Sequence, residues 1–500
     1  ITLENNSLFS FQSKRFMGAH VDYKFNQDFI LGASALNLTE KPLTQKINIG
    51  DEPISNTIVG LNSSYSKDSR FLTSIIDKLP LIETKQISNI AINSEFAYFI
   101  PGHPKSIDID ETGTSYIDDF ENSQSSIDIR NSSAWSLSST PMGNPGSLDG
   151  YFSEAILSND LKYGYNRAKL AWYVIDPLFQ RNSSITPSHI INDSEQQENH
   201  YVREVFINEV FPNKDQQTGQ PSRLRTLDLA FYPNERGPYN FDVESSDYSA
   251  GIDQDGYLKE PQSRWGGITR KIETNDFEAA NIEFIEFWMM DPFLYEPDHS
   301  GGELFLNLGN ISEDILKDSR KSFENGLPID GSDVNIDTTV WGRVPSIQSL
   351  VNAFDNDDGA RENQDLGYDG LDDAEELVFN DYLERIETSF TILDSVYLKA
   401  LEDPAADNFK YFRSSEFDNL ESSILQRYKS YNGVEGNSPT SEQSTESYPT
   451  SATNLPDVED INNDQTLSES ESYYQYRINL NPGELEQGVN YINDIYIDST

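Results

Sequence analysis

Between Phe16 and Phe25 the side chains alternate without error: Met17, Ala19, Val21, Tyr23 and Phe25 fall on one side, Gly18, His20, Asp22 and Lys24 on the other. A period of two puts each set on its own face of an extended strand, whereas a helix would scatter both sets around its axis. After a turn at Asn26-Gln27-Asp28, Phe29, Leu31, Ala33 and Ala35 line one face of a second strand. Val59, Leu61 and Tyr65 mark a third, and Ile90, Ile92, Phe96 and Tyr98 a fourth, opposed by Asn89, Asn93 and Glu95. Strands of about ten residues, with a very short turn at one end and longer loops at the other, fit a transmembrane β-barrel. A soluble antiparallel sheet with one buried face has the same alternation, and periodicity alone leaves both readings open.

The pattern changes beyond residue 100. Residues 101–150 are rich in Gly, Pro, Ser and Asp and predict an irregular connector. From 151 to 345 short apolar runs recur between turns, among them AKLAWYVIDPLF (168–179), VREVFINEVF (202–211), LRTLDLAFYP (224–233), IEFIEFWMMDPF (282–293) and GELFLNLGNI (302–311). These predict a soluble β-sandwich of jelly-roll type. WYVIDPLF and FWMMDPFL echo each other, an apolar aromatic run ending in Asp-Pro, as two related halves would. Residues 346–432 read as an acidic loop and a helical segment. Helices are expected at SLVNAF, at AEELVFNDYLERI and over 414–431, the last capped by Ser415 with a stripe of Phe417, Leu420, Ile424, Leu425 and Tyr428. Residues 433–456 form an exposed low-complexity loop, and 457–500 an acidic loop and a return strand with Tyr474, Tyr476 and Ile478 on one face. The expected class is mainly β with a few short helices.

Charge narrows the partners. A formal net charge of −48 repels nucleic acid and anionic surfaces, and a bound divalent cation would relieve its self-repulsion. Hydrophobic content is low at 36%, yet 27 Phe and 26 Tyr set the chain apart from disordered acidic proteins. The absence of cysteine excludes disulfides and thiolate zinc sites, and five histidines disfavour a multi-histidine metal centre. No stretch of 18 apolar residues predicts a membrane helix. ITLENNSLF does not read as a signal peptide, and a chain beginning at Ile1 is expected to be a processed product or an excerpt from a longer protein.

Four acidic loops are candidate calcium sites. In DINNDQTLSESE, Asp460, Asn462, Asp464, Thr466, Ser468 and Glu471 have the oxygen spacing of a helix–loop–helix calcium loop, though Gln465 stands where such loops prefer Gly. In DIDETGTSYIDD, Asp108, Asp110, Thr112, Thr114 and Asp119 keep that spacing, with Gly113 at the sharp turn. The third loop, 355–376, carries Asp355, Asp357, Asp365, Asp369, Asp372, Asp373 and Glu376, and its Asp-Gly repeats resemble calcium-stabilised extracellular repeats. DQDG at 253–256 is short and nonspecific. A solvated turn is the plain reading of each, because chance spacing is common in so acidic a chain. Calcium here would be structural; no cofactor is required.

Catalysis finds little support. Paired carboxylates can be drawn almost anywhere in this chain, which makes each pair uninformative. There is no Gly-Xaa-Ser-Xaa-Gly elbow, phosphate loop or dinucleotide fingerprint. The aromatic runs near Trp172 and Trp288 could floor a sugar site, but such residues are more often core.

Several long stretches are distinctive in combination: KLPLIETKQISNIAINSEFAYFIPGHPK (78–105), RWGGITRKI (264–272), NIEFIEFWMMDPF (281–293), QDLGYDGLDDAEE (364–376) and the long run 436–478. With them the chain resembles, over nearly all its length, the SprA/Sov family of gliding-motility and secretion proteins, the outer-membrane translocons of type IX secretion. The resemblance implies a full protein several times longer, whose strands close a single-chain barrel of about 36. It favours barrel over soluble sheet for residues 1–100. It implies a passage for folded client proteins bearing C-terminal sorting domains, with a PorV-type shuttle and a plug protein as partners. Localisation would be the bacterial outer membrane, with soluble parts at the cell surface or in the periplasm. On this reading Met17, Ala19, Val21, Tyr23, Phe25, Phe29 and Leu31 face lipid, and His20, Asp22 and Lys24 face the lumen.

The alternative is a secreted calcium-dependent carbohydrate-binding adhesin. It accounts for a sandwich, aromatics and acidic loops, but not for the alternation at 16–36. A glycosidase would need two carboxylates across a groove, about 5–10 Å apart.

Overall fold

The computed structural model describes residues 14–40, 53–78, 86–104, 127–142, 152–211, 223–278, 282–357, 359–390, 394–438 and 454–495. The chain divides into two units, Ile1–Ser126 with Thr274–Ile285, and Ile127–Glu273 with Glu286–Thr500.

The first unit holds the alternating strands. β1 (Lys14–Lys24), β2 (Phe29–Glu40), β3 (Ser55–Ser69) and β4 (Ser88–Ile100) form one antiparallel sheet in chain order. Register decides what the two faces carry, because a slip of one residue would exchange them. Val21 pairs with Ala33, Ala33 with Leu61, and Leu61 with Phe96. The next row runs from Ala19 through Ala35 and Val59 to Tyr98. An apolar face therefore crosses all four strands, and it is bare: Val21, Leu61, Phe96 and Tyr98 are 65%, 51%, 61% and 59% exposed. Ser63 and Ser94, the polar intruders on that face, satisfy each other at 2.7 Å. The opposite face is polar. His20 Nδ1 lies 2.8 Å from Ser34 Oγ, and its Nε2 lies 3.0 Å from Asp22 Oδ1.

The β1–β2 turn closes as the sequence suggests, with the Asp28 N–H donating to Asn26 Oδ1 at 2.8 Å. Beside it runs an aromatic chain from Tyr23 to Phe25, Phe29 and Tyr65, with successive ring centroids 4.6, 5.1 and 6.4 Å apart. Among the described residues the sheet is open, with β1 and β4 as its edges.

The second unit departs from expectation. Residues 151–345 do not build a β-sandwich: the described strands there pair only in twos. Ala168–Tyr173 pairs with Asp228–Arg236, and Ile336–Thr338 with Arg343–Pro345. Gly302–Asn310 reaches out of the segment to pair with the return strand Ser472–Leu480. The described strands do not stack into two facing sheets, and the apolar side chains are buried in aromatic clusters instead. One cluster gathers Tyr163, Tyr239, Phe241, Trp341, Tyr368, Tyr382 and Ile386. A second gathers Tyr173, Phe179, Ile190, Phe412, Ile424 and Tyr428. Both draw on either side of residue 346, so the expected sandwich and helical segments share their cores. The Asp-Pro echo is a turn and nothing larger: Asp176 accepts the Leu178 N–H at 2.9 Å and Asp291 accepts the Phe293 N–H at 2.8 Å. Trp172 is core, while Trp288 is 48% exposed.

The helices are shorter than their periodicity predicts. SLVNAF is not helical. AEELVFNDYLERI splits into Asp373–Phe379 and Tyr382–Ser389, broken at Asn380-Asp381. The expected helix over 414–431 also splits, because two caps compete within it. Ser414, not Ser415, caps Ser415–Asn419; Glu421 then takes a φ of 51°, and Ser423 starts Ile424–Tyr428 with a capping box closed by Gln426.

A candidate cation site of buried carboxylates

Three acids from two stretches of the second unit meet with their carboxylates inward. Asp369, Glu376 and Asp407 are 1%, 3% and 0% exposed, and one oxygen from each lies within 4.8 Å of the others. Asp369 sits between Gly367 and Gly370, whose φ values of +73° and +64° turn the chain tightly around it. A Cβ on Gly367 would stand 2.6 Å from the Tyr239 hydroxyl and 2.8 Å from Asp407 Oδ2, so both backbone conformation and space demand glycine there. Glu376 projects from the helix Asp373–Phe379, which starts at a capping box of Asp372 and Glu375. Asp407 follows a turn in which its N–H donates to Asp403 Oδ1 at 3.1 Å. Its carbonyl accepts the Glu435 N–H at 3.1 Å, which brings Glu435 to the margin of the group.

The oxygens are short of partners. Asp369 Oδ1 accepts the Leu371 N–H and Glu376 Oε2 the Ala405 N–H, but Asp369 Oδ2, Glu376 Oε1, Glu435 Oε2 and both oxygens of Asp407 accept nothing. The Tyr239 hydroxyl lies beside Asp407 without ordinary hydrogen-bond geometry, and itself accepts the Tyr368 N–H at 2.8 Å. Burial pushes the carboxyls of Asp369, Glu376 and Asp407 far above the usual range, and each neighbouring carboxylate raises them further. Glu435 is raised to about 9 by burial and by Asp407. Buried charges of one sign are tolerated only when a counter-charge or protons neutralise them. With oxygen ligands alone, the group suits a hard cation.

Other buried acids in this unit serve a different end. Glu459 accepts the N–H groups of Ile315 and Ser322, both at 2.8 Å. Glu313 accepts those of Asn462 and Ser468 at 3.1 and 2.9 Å. Glu324 accepts those of Gly367 and Asp457 at 2.8 and 2.6 Å. These carboxylates pin loops, and backbone donors occupy both oxygens of each.

The structure distributes the sequence candidates unevenly. Of the 355–376 loop, Asp369 and Glu376 enter the cluster and Asp373 lies nearby, its Oδ1 accepting from Asn408 Nδ2 at 3.1 Å. Asp355 bonds Gln364, Asp357 is exposed, and Asp365 pairs with Arg361 and accepts the Asn437 N–H. In the 460–471 loop, Asp460 accepts the N–H groups of Asp464 and Gln465 at 3.0 and 2.7 Å, and Lys321 Nζ stands 3.5 Å from its Oδ2. Asn462 and Asp464 each cap the next N–H but one; Thr466 donates to Asp464, and Glu471 turns to the Ser312 N–H. The strand Ser472–Leu480 follows, not a helix. Asp108, Asp110, Thr112, Thr114 and Asp119 lie outside the described residues. Asp407 and Glu435 had no motif of their own: each is a single acid in a turn, joined to Asp369 only by the fold.

Residues 381–496, which include Asp407 and Glu435, match a family model described as a motility related/secretion protein. That model is SprA_N, and over this segment the resemblance to the SprA/Sov family is shown. The description of that model suggests a motility or secretion role and an association with the cell envelope. No curated protein matches the chain.

Proposed function

We propose that the chain is part of an outer-membrane protein-conducting channel that exports folded client proteins and is linked to gliding motility. The observation that carries this reading is the apolar face of β1–β4. Its bare Val21, Leu61, Phe96 and Tyr98 oppose a polar face of His20, Asp22 and Asn62. Lipid outside and water inside ask for that division, and an aromatic chain at one end suits the membrane interface. A soluble adhesin would bury such a face. No helix among the described residues is long and apolar enough to cross a membrane.

The chain would give the passage a strongly acidic surface. Charge of one sign discourages acidic cargo from adhering. The chain supplies a passage and no catalysis on this reading. A PorV-type shuttle and a plug protein would be its partners, and clients with C-terminal sorting domains its cargo.

The test is native purification of the tagged endogenous chain from membranes in mild detergent. A very large subunit in the outer membrane with a barrel-type partner is expected. A subunit near 56.6 kDa that stays soluble without detergent would overturn the proposal.

A further inference from the structure

We propose that Asp369, Glu376 and Asp407, with Glu435 at their margin, hold one calcium ion that fastens three separate stretches of the second unit together. The proposal does not depend on the channel reading. It stands on under-partnered oxygens: Asp407 is wholly buried with only the Tyr239 hydroxyl beside its carboxylate and no backbone donor on either oxygen, and Asp369 and Glu376 each turn one unbonded oxygen to the same place. Elsewhere the unit shows how it saturates a buried acid, with backbone N–H groups on both oxygens of Glu459 and of Glu313. At this cluster backbone donors reach only one oxygen of Asp369 and one of Glu376, and the charges bearing on it most strongly are those of other carboxylates.

Ligand chemistry and burial identify the ion. Carboxylate oxygens without histidine or thiolate select a hard cation. Magnesium retains several of its waters, whereas calcium accepts a cage of six to eight oxygens and bidentate carboxylates. A group only 1%, 3% and 0% exposed suits the second. The ligand spacing also explains the loop: Gly367 and Gly370 bend the chain so that Asp369 meets an acid 38 residues away in sequence, as 407 − 369 gives.

The rival is a set of carboxylic acids sharing protons, with no metal. The full chain is purified in detergent, dialysed against calcium chloride, and its bound metal counted. Tightly held calcium that Asp407→Asn reduces by one ion per chain is expected. Chelation should lower the wild-type melting temperature by at least about 5 °C, and calcium but not magnesium should restore it. Terbium is the second probe, since Tyr239 and Tyr368 adjoin the site and can sensitise its emission. Emission should be displaced by calcium, halved or worse in Glu435→Gln, and retained in Asp460→Asn. The milder Glu435→Gln keeps the test usable if Asp407→Asn does not fold. Absence of bound calcium with a melting temperature indifferent to chelator would overturn the proposal. So would equal protection by magnesium, or emission lost in Asp460→Asn and kept in both cluster variants.

Discussion

Arg264 Nη1 donates to Asp242 Oδ2 at 2.8 Å, with both side chains wholly withdrawn from solvent. The same guanidinium donates to the carbonyls of Tyr165, Gly251 and Lys259 at 2.8, 3.1 and 3.0 Å. Removing one partner of such a pair strands the other charge, so Arg264→Met should cost about 3–5 kcal/mol. Arg264→Lys should recover little, because one ammonium cannot reach four acceptors spread around a planar fork. Thermal unfolding of the three proteins checks this. A lysine variant as stable as wild type would show that charge alone matters here.

Asp228 gives the second unit a dependence on pH. Its carboxyl is pushed from 3.8 to about 6, chiefly by burial, while the Thr226 hydroxyl, the Ile175 amide and Arg223 act the other way. The folded state thus binds this proton more tightly than the unfolded state. Its stabilising contribution is complete below the unfolded value of 3.8 and is lost as pH rises through about 6. Asp228→Asn should therefore gain on wild type by on the order of 1–2 kcal/mol between pH 4 and pH 7.5. A stability gap that does not change with pH would refute the assignment.

Glu459 should tolerate no amide. Its oxygens face two N–H donors, and Glu459→Gln would turn an NH2 group toward one of them. The expected loss is about 1–3 kcal/mol, with earlier proteolysis around Ile315 and Ser322. Glu469→Gln, at a partly exposed pairing with Lys317, is the control and should change stability by less than about 1 kcal/mol.

The two faces of β1–β4 should answer differently to charge. Val21→Arg or Phe96→Arg should block membrane assembly, at about 2–4 kcal/mol for each arginine placed at mid-membrane. Asp22→Asn on the other face should assemble normally. Surface protease accessibility in intact cells measures both. Equal tolerance on the two faces would remove the case for a lipid-facing side.

What could be read in the sequence depended on how local its cause was. Strand alternation is set by neighbours two apart, so β1–β4 and the turn at Asn26–Asp28 were legible. Ser414 and Ser423 each offered a hydroxyl to start a helix, and one apolar stripe across 414–431 concealed the break between them. The sandwich failed for a related reason: short apolar runs announce burial without naming the partner. The cluster shows the limit most clearly. Asp369 stood out among Asp-Gly repeats, whereas Asp407 and Glu435 are ordinary acids until Tyr239, Ala405 and the Asp373–Phe379 helix bring them to it.

The pairing of Gly302–Asn310 with Ser472–Leu480 also sets a clock. Asn307 and Gln475, hydrogen-bonded at 3.1 Å, are 168 residues apart. At a synthesis rate of about 5–20 residues per second, the earlier strand waits on the order of ten to thirty seconds for its mate to be made. Through that interval its amides and its Phe305, Leu306 and Leu308 are an adhesive edge. Folding of this unit must therefore leave that edge open until a pairing far along the chain closes, the kind of non-local contact that slows folding.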